Sequence, residues 1–377
     1  MPGPADLLFL APGLGVGGTE RHLARLLPAL ARRGFAPRVW NAGETGEAQT
    51  ALERSGIPVY AMRLPDSLRQ IRRLAPPAGA LARRRPALVH SYVYGRHWID
   101  ALLVRLAGVP YVGARRNLAH WREGAVLARE RWRDRHSAAI VANSEAVAAV
   151  ARREGAPPDR LVVIPNGVDL PPADPGARAR ARAELGLGPA ERVIGSVGSL
   201  KAIKDPVTLL EAFARLTVAG AADRLVLVGA GPLLTELRDR AVALGCGDRL
   251  LLAGARVEPE ALLAAFDVFA LASRAEGFSN ALVEAMAAGL PVVATRVGGN
   301  LEAVLAGETG ELVPPGEVGE MTRALGALLG DPARAARLGT AARLRVAHRY
   351  SAAVMADAHA ALYNRLLEPT GAARHAA

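Results

Sequence analysis

Residues 272–299 read ASRAEGFSNALVEAMAAGLPVVATRVGG, and this stretch decides the fold. Just upstream, Asp267 to Leu271 (DVFAL) is an apolar run of strand length; Ser279 to Ala288 has the composition of a helix, and Pro291 to Ala294 is the next apolar run. Strand, helix and strand in that order make a βαβ unit, in which ligands bind where strand ends meet helix starts. The helix opening at Ser279-Asn280 offers unpaired N–H groups and the positive end of its dipole, which suits a phosphate or a hydroxyl-rich ligand. Glu284 stands about a turn and a half into that helix. A carboxylate there is placed to accept paired hydrogen bonds from a vicinal diol such as ribose, and Glu276, ahead of the turn, to reach a second polyhydroxy group. The plain alternative is an ordinary loop glutamate and a solvated helix glutamate.

Four further stretches stand around this unit in chain order: GLGVGGTER at Gly13 to Arg21, IVANSEAV at Ile140 to Val147, VIPNGVD at Val163 to Asp169 and VGSLKAIKD at Val197 to Asp205. Together with the Glu276 and Glu284 pair, which fits an E-x7-E motif, they make the chain resemble the retaining family 4 glycosyltransferases along nearly its whole length. The resemblance implies the GT-B fold, two Rossmann-like doubly wound parallel-sheet domains facing across a cleft, and a nucleotide-sugar donor (UDP- or GDP-sugar). It implies that Glu276 contacts the donor sugar and Glu284 the nucleotide ribose. The donor-binding segment runs through Gly277, Phe278, Ser279, Asn280, Ala281 and Leu282, with the backbone amides from Ser279 to Leu282 on the phosphates.

Lysine usage points to the same chemistry. Of the 47 lysines and arginines only two are lysines, Lys201 and Lys204, and both fall in one loop. That loop lies between an expected strand (Val193 to Val197) and helix (Pro206 to Leu216), where a pyrophosphate would sit. A compact ammonium on a leaving-group oxygen stabilises far more in a dry site than in water. Two surface lysines in a turn are the alternative. The family carries an arginine ahead of the lysine in this loop; Lys204 matches the lysine, but Ser199 occupies the arginine position, and Lys201 is the candidate substitute.

The 377 residues, 51% of them hydrophobic, suffice for two cores. Short apolar runs alternate with amphipathic stretches throughout, as in parallel sheets with crossover helices. The Pro-, Ala- and Arg-rich LPPADPGARARARAELGLGP at Leu170 to Pro189 suggests a boundary at its start. The expected domains are 1–170 for the acceptor, 171–350 for the nucleotide-sugar, and a final segment, 351–377, that the resemblance sends back to the first. No run is long and apolar enough for a membrane span, and no basic region precedes the first apolar stretch, so an intracellular, cytoplasmic place is expected. The single cysteine, Cys246, agrees with a reducing compartment.

Charge bears on the acceptor. Residues 1–170 hold 25 arginines against 14 acidic residues, while the rest of the chain balances. An anionic acceptor, glycan or lipid-linked, or an anionic membrane surface is the expected partner of such a domain. Two segments offer that face: Ala119 to His136, with Trp121, Ala125, Ala128 and Trp132 at helical spacing, and Ser67 to Arg85, with Leu68, Ile71 and Ala75. Each reads either as an interfacial helix or as a helix that buries its apolar stripe in the core.

The glycine loop has a rival reading. Gly13, Gly15 and Gly18 satisfy G-x-G-x-x-G, the dinucleotide fingerprint of an NAD(P)-dependent oxidoreductase. That reading wants an acid at the end of the second strand, which closes at Trp40-Asn41 with Glu44 the nearest carboxylate. The glycosyltransferase reading takes Gly17 and Gly18 as a close backbone approach to donor phosphate and acceptor. No D-x-D pair, paired-histidine metal motif, Gly-x-Ser-x-Gly elbow or nucleic-acid module occurs, so no metal, no cofactor and no nucleic acid is expected.

The mechanism the resemblance implies has Lys204, with Lys201, stabilising the departing diphosphate while the acceptor attacks from the same face, the leaving phosphate taking its proton. Arg256 and Val257 lie in the loop that selects the base. Many relatives place a histidine after the strand corresponding to Tyr111 to Gly113. Here the sequence is GARRN, and Arg115, a catalytic candidate, Arg116 or His120 stands in for it. Synthesis of a cell-surface polysaccharide or glycolipid is the expected setting, and a GT-B protein that binds a nucleotide-sugar without transferring it is the alternative.

Overall fold

The computed structural model describes residues 3–15, 17–62, 79, 81, 83–93, 99–118, 124–256 and 258–368. The chain divides into two compact units, one comprising the residues up to Gly167 joined by those from Ala352 on, the other Val168–Ser351.

In the first unit, seven strands form one sheet in the order β3-β2-β1-β4-β5-β6-β7. They are β1 (Ala5–Ala11), β2 (Phe35–Asn41), β3 (Val59–Ala61), β4 (Leu88–Ser91), β5 (Tyr111–Arg115), β6 (Ala139–Ala142) and β7 (Leu161–Val163). Six strands form the second sheet in the order β10-β9-β8-β11-β12-β13. They are β8 (Val193–Val197), β9 (Arg224–Val228), β10 (Leu250–Gly254), β11 (Val268–Leu271), β12 (Val292–Thr295) and β13 (Glu311–Val313). Every pairing is parallel.

The reason lies in the strands themselves. LFLA in β1, VFAL in β11 and VVA in β12 are apolar on successive residues, so both faces must be covered, and helical crossovers cover them. Separate apolar clusters accordingly lie on the two faces of each sheet. The helix Ala352–Leu367 belongs to the first unit, where Met355, Ala356, Leu362 and Tyr363 join its core.

Strand order reverses between β1 and β4 in the first sheet and between β8 and β11 in the second. Crossovers leave these points in opposite directions, so the loops after the paired strands diverge and open a crevice. β8 and β11 are hydrogen-bonded neighbours, with Phe269 opposite Gly195. Their carboxyl-terminal loops carry VGSLKAIKD and ASRAEGFSN.

In the basic segment at Ala119 to His136 the expected burial of an apolar stripe is corrected. The structure describes a helix at Gly124–His136 whose buried residues are Glu130, Arg133 and Asp134, while Ala125 and Ala128 are exposed. The charged face is inward because it meets other charges. Arg115, at the end of β5, pairs with Glu130 at 3.1 Å, Asp134 at 2.5 Å and Glu154 at 3.0 Å, and Arg133 pairs with Glu130 at 2.7 Å. Burial would depress Arg133, but Glu130, Asp134 and Asp100 lift it above its ordinary range. Burial raises Asp100 against the hydrogen bond from Ser91. Most of the Ser67 to Arg85 segment lies outside the described residues, as do Trp121 and His120. Among the described residues, no helix is long and apolar enough to cross a membrane.

Candidate functional site

The site of the second unit forms from two loops. After β8 the chain passes Gly198, Ser199 and Leu200, makes a short turn at Ala202–Lys204, and enters the helix Pro206–Val218. After β11 it passes Ser273 and Glu276 to Ser279, which caps the helix Asn280–Ala287.

Glu276 is buried, and its Oε1 receives two donors: Lys204 Nζ at 2.5 Å and Ser273 Oγ at 2.6 Å. Ser273 is held in turn by Thr295 Oγ1, which donates to its carbonyl at 2.6 Å. A buried carboxylate keeps its charge only with such partners. Ser196, Gly198, Ser199, Leu200, Lys204 and Ala272 line one small cavity beside this pair.

Glu284 is 5% exposed and inside the helix, so it is no solvated surface glutamate. The Ser279 side chain accepts from Leu282 N at 3.4 Å, which commits that amide to capping. Phe278 packs against Tyr350 with ring centroids 5.4 Å apart, and Leu282 is wholly buried, so both side chains belong to the core. Gly299 sits behind the turn: a Cβ there would lie 2.4 Å from the Gly277 carbonyl oxygen. No larger residue fits between β12 and the site loop.

The other expected residues fall in separate places. Ser199 is half-buried in the cavity wall, and Lys201 is exposed on the same loop. Arg256 is exposed after the edge strand β10, and Val257 lies outside the described residues. Gly17 precedes the helix Gly18–Ala31 in extended conformation after β1. Arg115 is 1% exposed and enclosed by three carboxylates, so its expected catalytic place does not hold: its guanidinium ties β5 to the helix beside it. Arg116 takes the other direction. It donates to Asn166 Oδ1 at 2.9 Å and stands 5.4 Å from the Tyr92 ring, at the carboxyl ends of the first sheet.

Three features lay beyond the sequence reading. Ser273 carried no signal of its own. The Asp205-Pro206 pair before a helix was a legible cap, since aspartate caps helices and proline suits their first position. A buried histidine cluster also appears in the first unit: His22 Nε2 meets Tyr92 Oη at 2.9 Å, His90 Nδ1 meets Tyr363 Oη at 2.7 Å, and His359 lies 5.9 Å from each ring. Burial holds His22 and His90 well below the usual histidine range and His359 at about 4.

Two doubly wound parallel sheets in one chain, with polar groups at the carboxyl ends of their strands, define the GT-B class of fold. The pattern of glycosyl transferases group 1 matches residues 177–345, and that of Glycosyltransferase Family 4 matches residues 16–171. A D-inositol 3-phosphate glycosyltransferase of Segniliparus rotundus is 32% identical over 94% of this chain and 86% of its own length. Its counterpart in Nocardia farcinica is 39% identical over 55% of this chain; that match spans 48% of the relative, about half its length. Among solved structures, Anabaena Alr3699/HepE in complex with UDP and glucose superposes with a TM-score of 0.84 at 25% identity, covering 96% of this chain and 99% of that one. The chain belongs to the group 1, family 4 glycosyltransferases. Membership sets aside the oxidoreductase reading of Gly13, Gly15 and Gly18.

Proposed function

We propose that this enzyme transfers a sugar, with retention at the anomeric carbon, from a UDP-sugar to a hydroxyl of a small anionic polyol, a sugar or cyclitol phosphate. The observation that carries the reading is the Lys204, Glu276 and Ser273 constellation at the switch point of the second sheet. A cation and a buried carboxylate there can act on the two ends of one donor. Lys204 exchanges its contact with Glu276 for the diphosphate, and Glu276, still held by Ser273, turns its oxygens to the sugar hydroxyls. Glu284 takes the ribose, and the helix start at Asn280 adds its dipole to the phosphates. Positive charge on the leaving diphosphate lowers the barrier because the charge develops there in the transition state. In this mechanism the diphosphate oxygen accepts the acceptor's proton, so the protein supplies no general base.

The first unit serves the acceptor in this reading and the second the donor. Arg116 is the residue for the acceptor's anionic group. The excess of arginine in residues 1–170 and the inositol phosphate in the relatives' names support this choice. UDP as the nucleotide is supported by the complex of the Anabaena protein. Ser199, at the family's arginine position, favours a second reading, a protein that binds the nucleotide-sugar without turnover.

A thermal-shift panel of UDP, GDP and ADP on wild type and Glu284→Ala tests the donor site, because a ligand of the native state raises the midpoint by mass action. UDP is expected to stabilise wild type alone. Release of UDP from UDP-glucose on adding an inositol phosphate, but not inositol, then separates transfer from mere binding. Stabilisation by GDP or ADP instead would overturn the choice of base.

A further inference from the structure

Lys204 is a flexible side chain, yet its ammonium is set 2.5 Å from one carboxylate oxygen. Its backbone explains how. Asp205, which follows it, has φ 46° and ψ 51°, one of two non-glycine residues with positive φ among the described residues. A helix cap is ordinarily extended. Pro206 disfavours the right-handed helical region for the residue before it, and aspartate is among the few side chains that tolerate the left-handed one. The left-handed turn reverses the chain between Lys204 and the helix Pro206–Val218, so the lysine turns toward β11 while the helix departs.

The carboxylate of Asp205 is buried and holds this turn. Oδ1 accepts from Thr208 N at 3.3 Å, and Oδ2 accepts from Thr208 Oγ1 at 2.9 Å and from Arg274 Nε at 2.9 Å. Arg274 belongs to the other loop, between Ser273 and Glu276. Its backbone N–H donates to the Ile203 carbonyl at 2.8 Å. A single residue thus grips the chain on both sides of Lys204, through Ile203 before it and Asp205 after it. Neither grip touches Lys204 or Glu276.

We propose that Asp205 and Arg274 are positioning residues of the transfer reaction: they clasp the lysine loop to the glutamate loop and so fix the Lys204 ammonium where the diphosphate arrives. The inference rests on the donor-site reading for what Lys204 does, but the clasp itself is measurable without a donor. Most of the Arg274 side chain is exposed, at 63%, so the ion pair adds little to overall stability and its loss leaves the unit folded.

The two lysines of the chain make the test direct. In protein labelled with ¹³C,¹⁵N-lysine, only Lys201 and Lys204 give side-chain signals, and Lys201→Arg assigns them. Glu276→Gln marks the position of a Lys204 signal without its carboxylate. In Arg274→Ala the Lys204 signal is expected to move toward that position, with UDP binding about tenfold weaker and an unchanged melting temperature. Arg274→Lys restores part of both effects, and Asp205→Asn, which keeps the turn and one oxygen to accept from Thr208, disturbs them less than Asp205→Ala. A Lys204 signal unmoved in Arg274→Ala overturns the clasp, and that variant decides the matter even where Asp205→Ala fails to fold. Should UDP leave the wild-type Lys204 signal untouched, the donor role of the lysine fails instead, a result read in a different titration.

Discussion

Lys204 Nζ lies 2.5 Å from Glu276 Oε1, although 72 positions separate the two residues in the chain. One comes from the loop after β8 and the other from the loop after β11, and the pairing of those strands at the switch point is what brings them together. Removing the ammonium leaves a buried carboxylate that still accepts from Ser273 Oγ. For Lys204→Gln, kcat is expected to fall by about two to three orders of magnitude, with Lys204→Arg recovering part of it. Steady-state kinetics with UDP-glucose checks this, and a kcat within threefold of wild type would remove Lys204 from the reaction.

Glu284→Ala is expected to abolish the stabilisation by UDP while leaving the unliganded midpoint nearly in place. The residue is buried at the site, so a hydroxyl partner lost there is lost from binding. An undiminished UDP response in the variant argues against ribose recognition by this carboxylate.

The two consecutive arginines should separate cleanly. Arg115→Ala strands Glu130, Asp134 and Glu154 around a missing cation and is expected to cost about 3–5 kcal/mol. Arg116→Ala is expected to unfold nothing but to raise KM for an anionic acceptor, leaving KM for the donor unchanged. Urea unfolding and acceptor kinetics on the pair distinguish the roles, and equal stability losses would refute the division.

The histidine cluster predicts a stability that depends on pH. His22, His90 and His359 are buried and neutral, each below the unfolded value of 6.5, with His359 at about 4. The unfolded chain therefore binds more protons wherever pH lies between the two values. Stability is complete above about pH 6.5 and declines as pH falls toward about 4, by up to about 1.4 kcal/mol per pH unit for each histidine. The facing groups are Tyr92 and Tyr363, with Arg116 adding to the depression. Urea midpoints at pH 7.5 and 5.0 read the slope, and His359→Leu should reduce it; a flat profile in wild type contradicts the assignment.

Gly299→Ala places a Cβ 2.4 Å from the Gly277 carbonyl oxygen, and backbone must move on one side or the other. A loss of about 1–3 kcal/mol is expected, together with weaker UDP binding, because the displaced turn carries Glu276. Differential scanning calorimetry and a UDP titration on the same variant check both effects.

Much of this was legible before any coordinates. The apolar runs at Val193 to Val197, Asp267 to Leu271 and Pro291 to Ala294 marked β8, β11 and β12, because a strand covered on both faces must be apolar at successive positions. Ser279 as a helix start and Glu276 and Glu284 as a pair followed from local pattern. The helix Gly124–His136 shows where such reading stops. Its stripe of Ala125, Ala128 and Trp132 suggested an apolar face for the core, yet the buried residues are Glu130, Arg133 and Asp134. Composition along one helix says nothing of the countercharges on β5 and beyond that make burying those residues possible.

The sequence by itself determined the parallel-sheet architecture, the family and the residue types of the candidate site, since periodicity, caps and motifs are properties of neighbours in the chain. Only the tertiary structure decided which arginine of the Arg115-Arg116 pair is structural, that Ser273 supports Glu276, and that Arg274 grips the chain on both sides of Lys204. Those are contacts between loops brought together by strand pairing, and their energies depend on distance and burial, which no local pattern encodes.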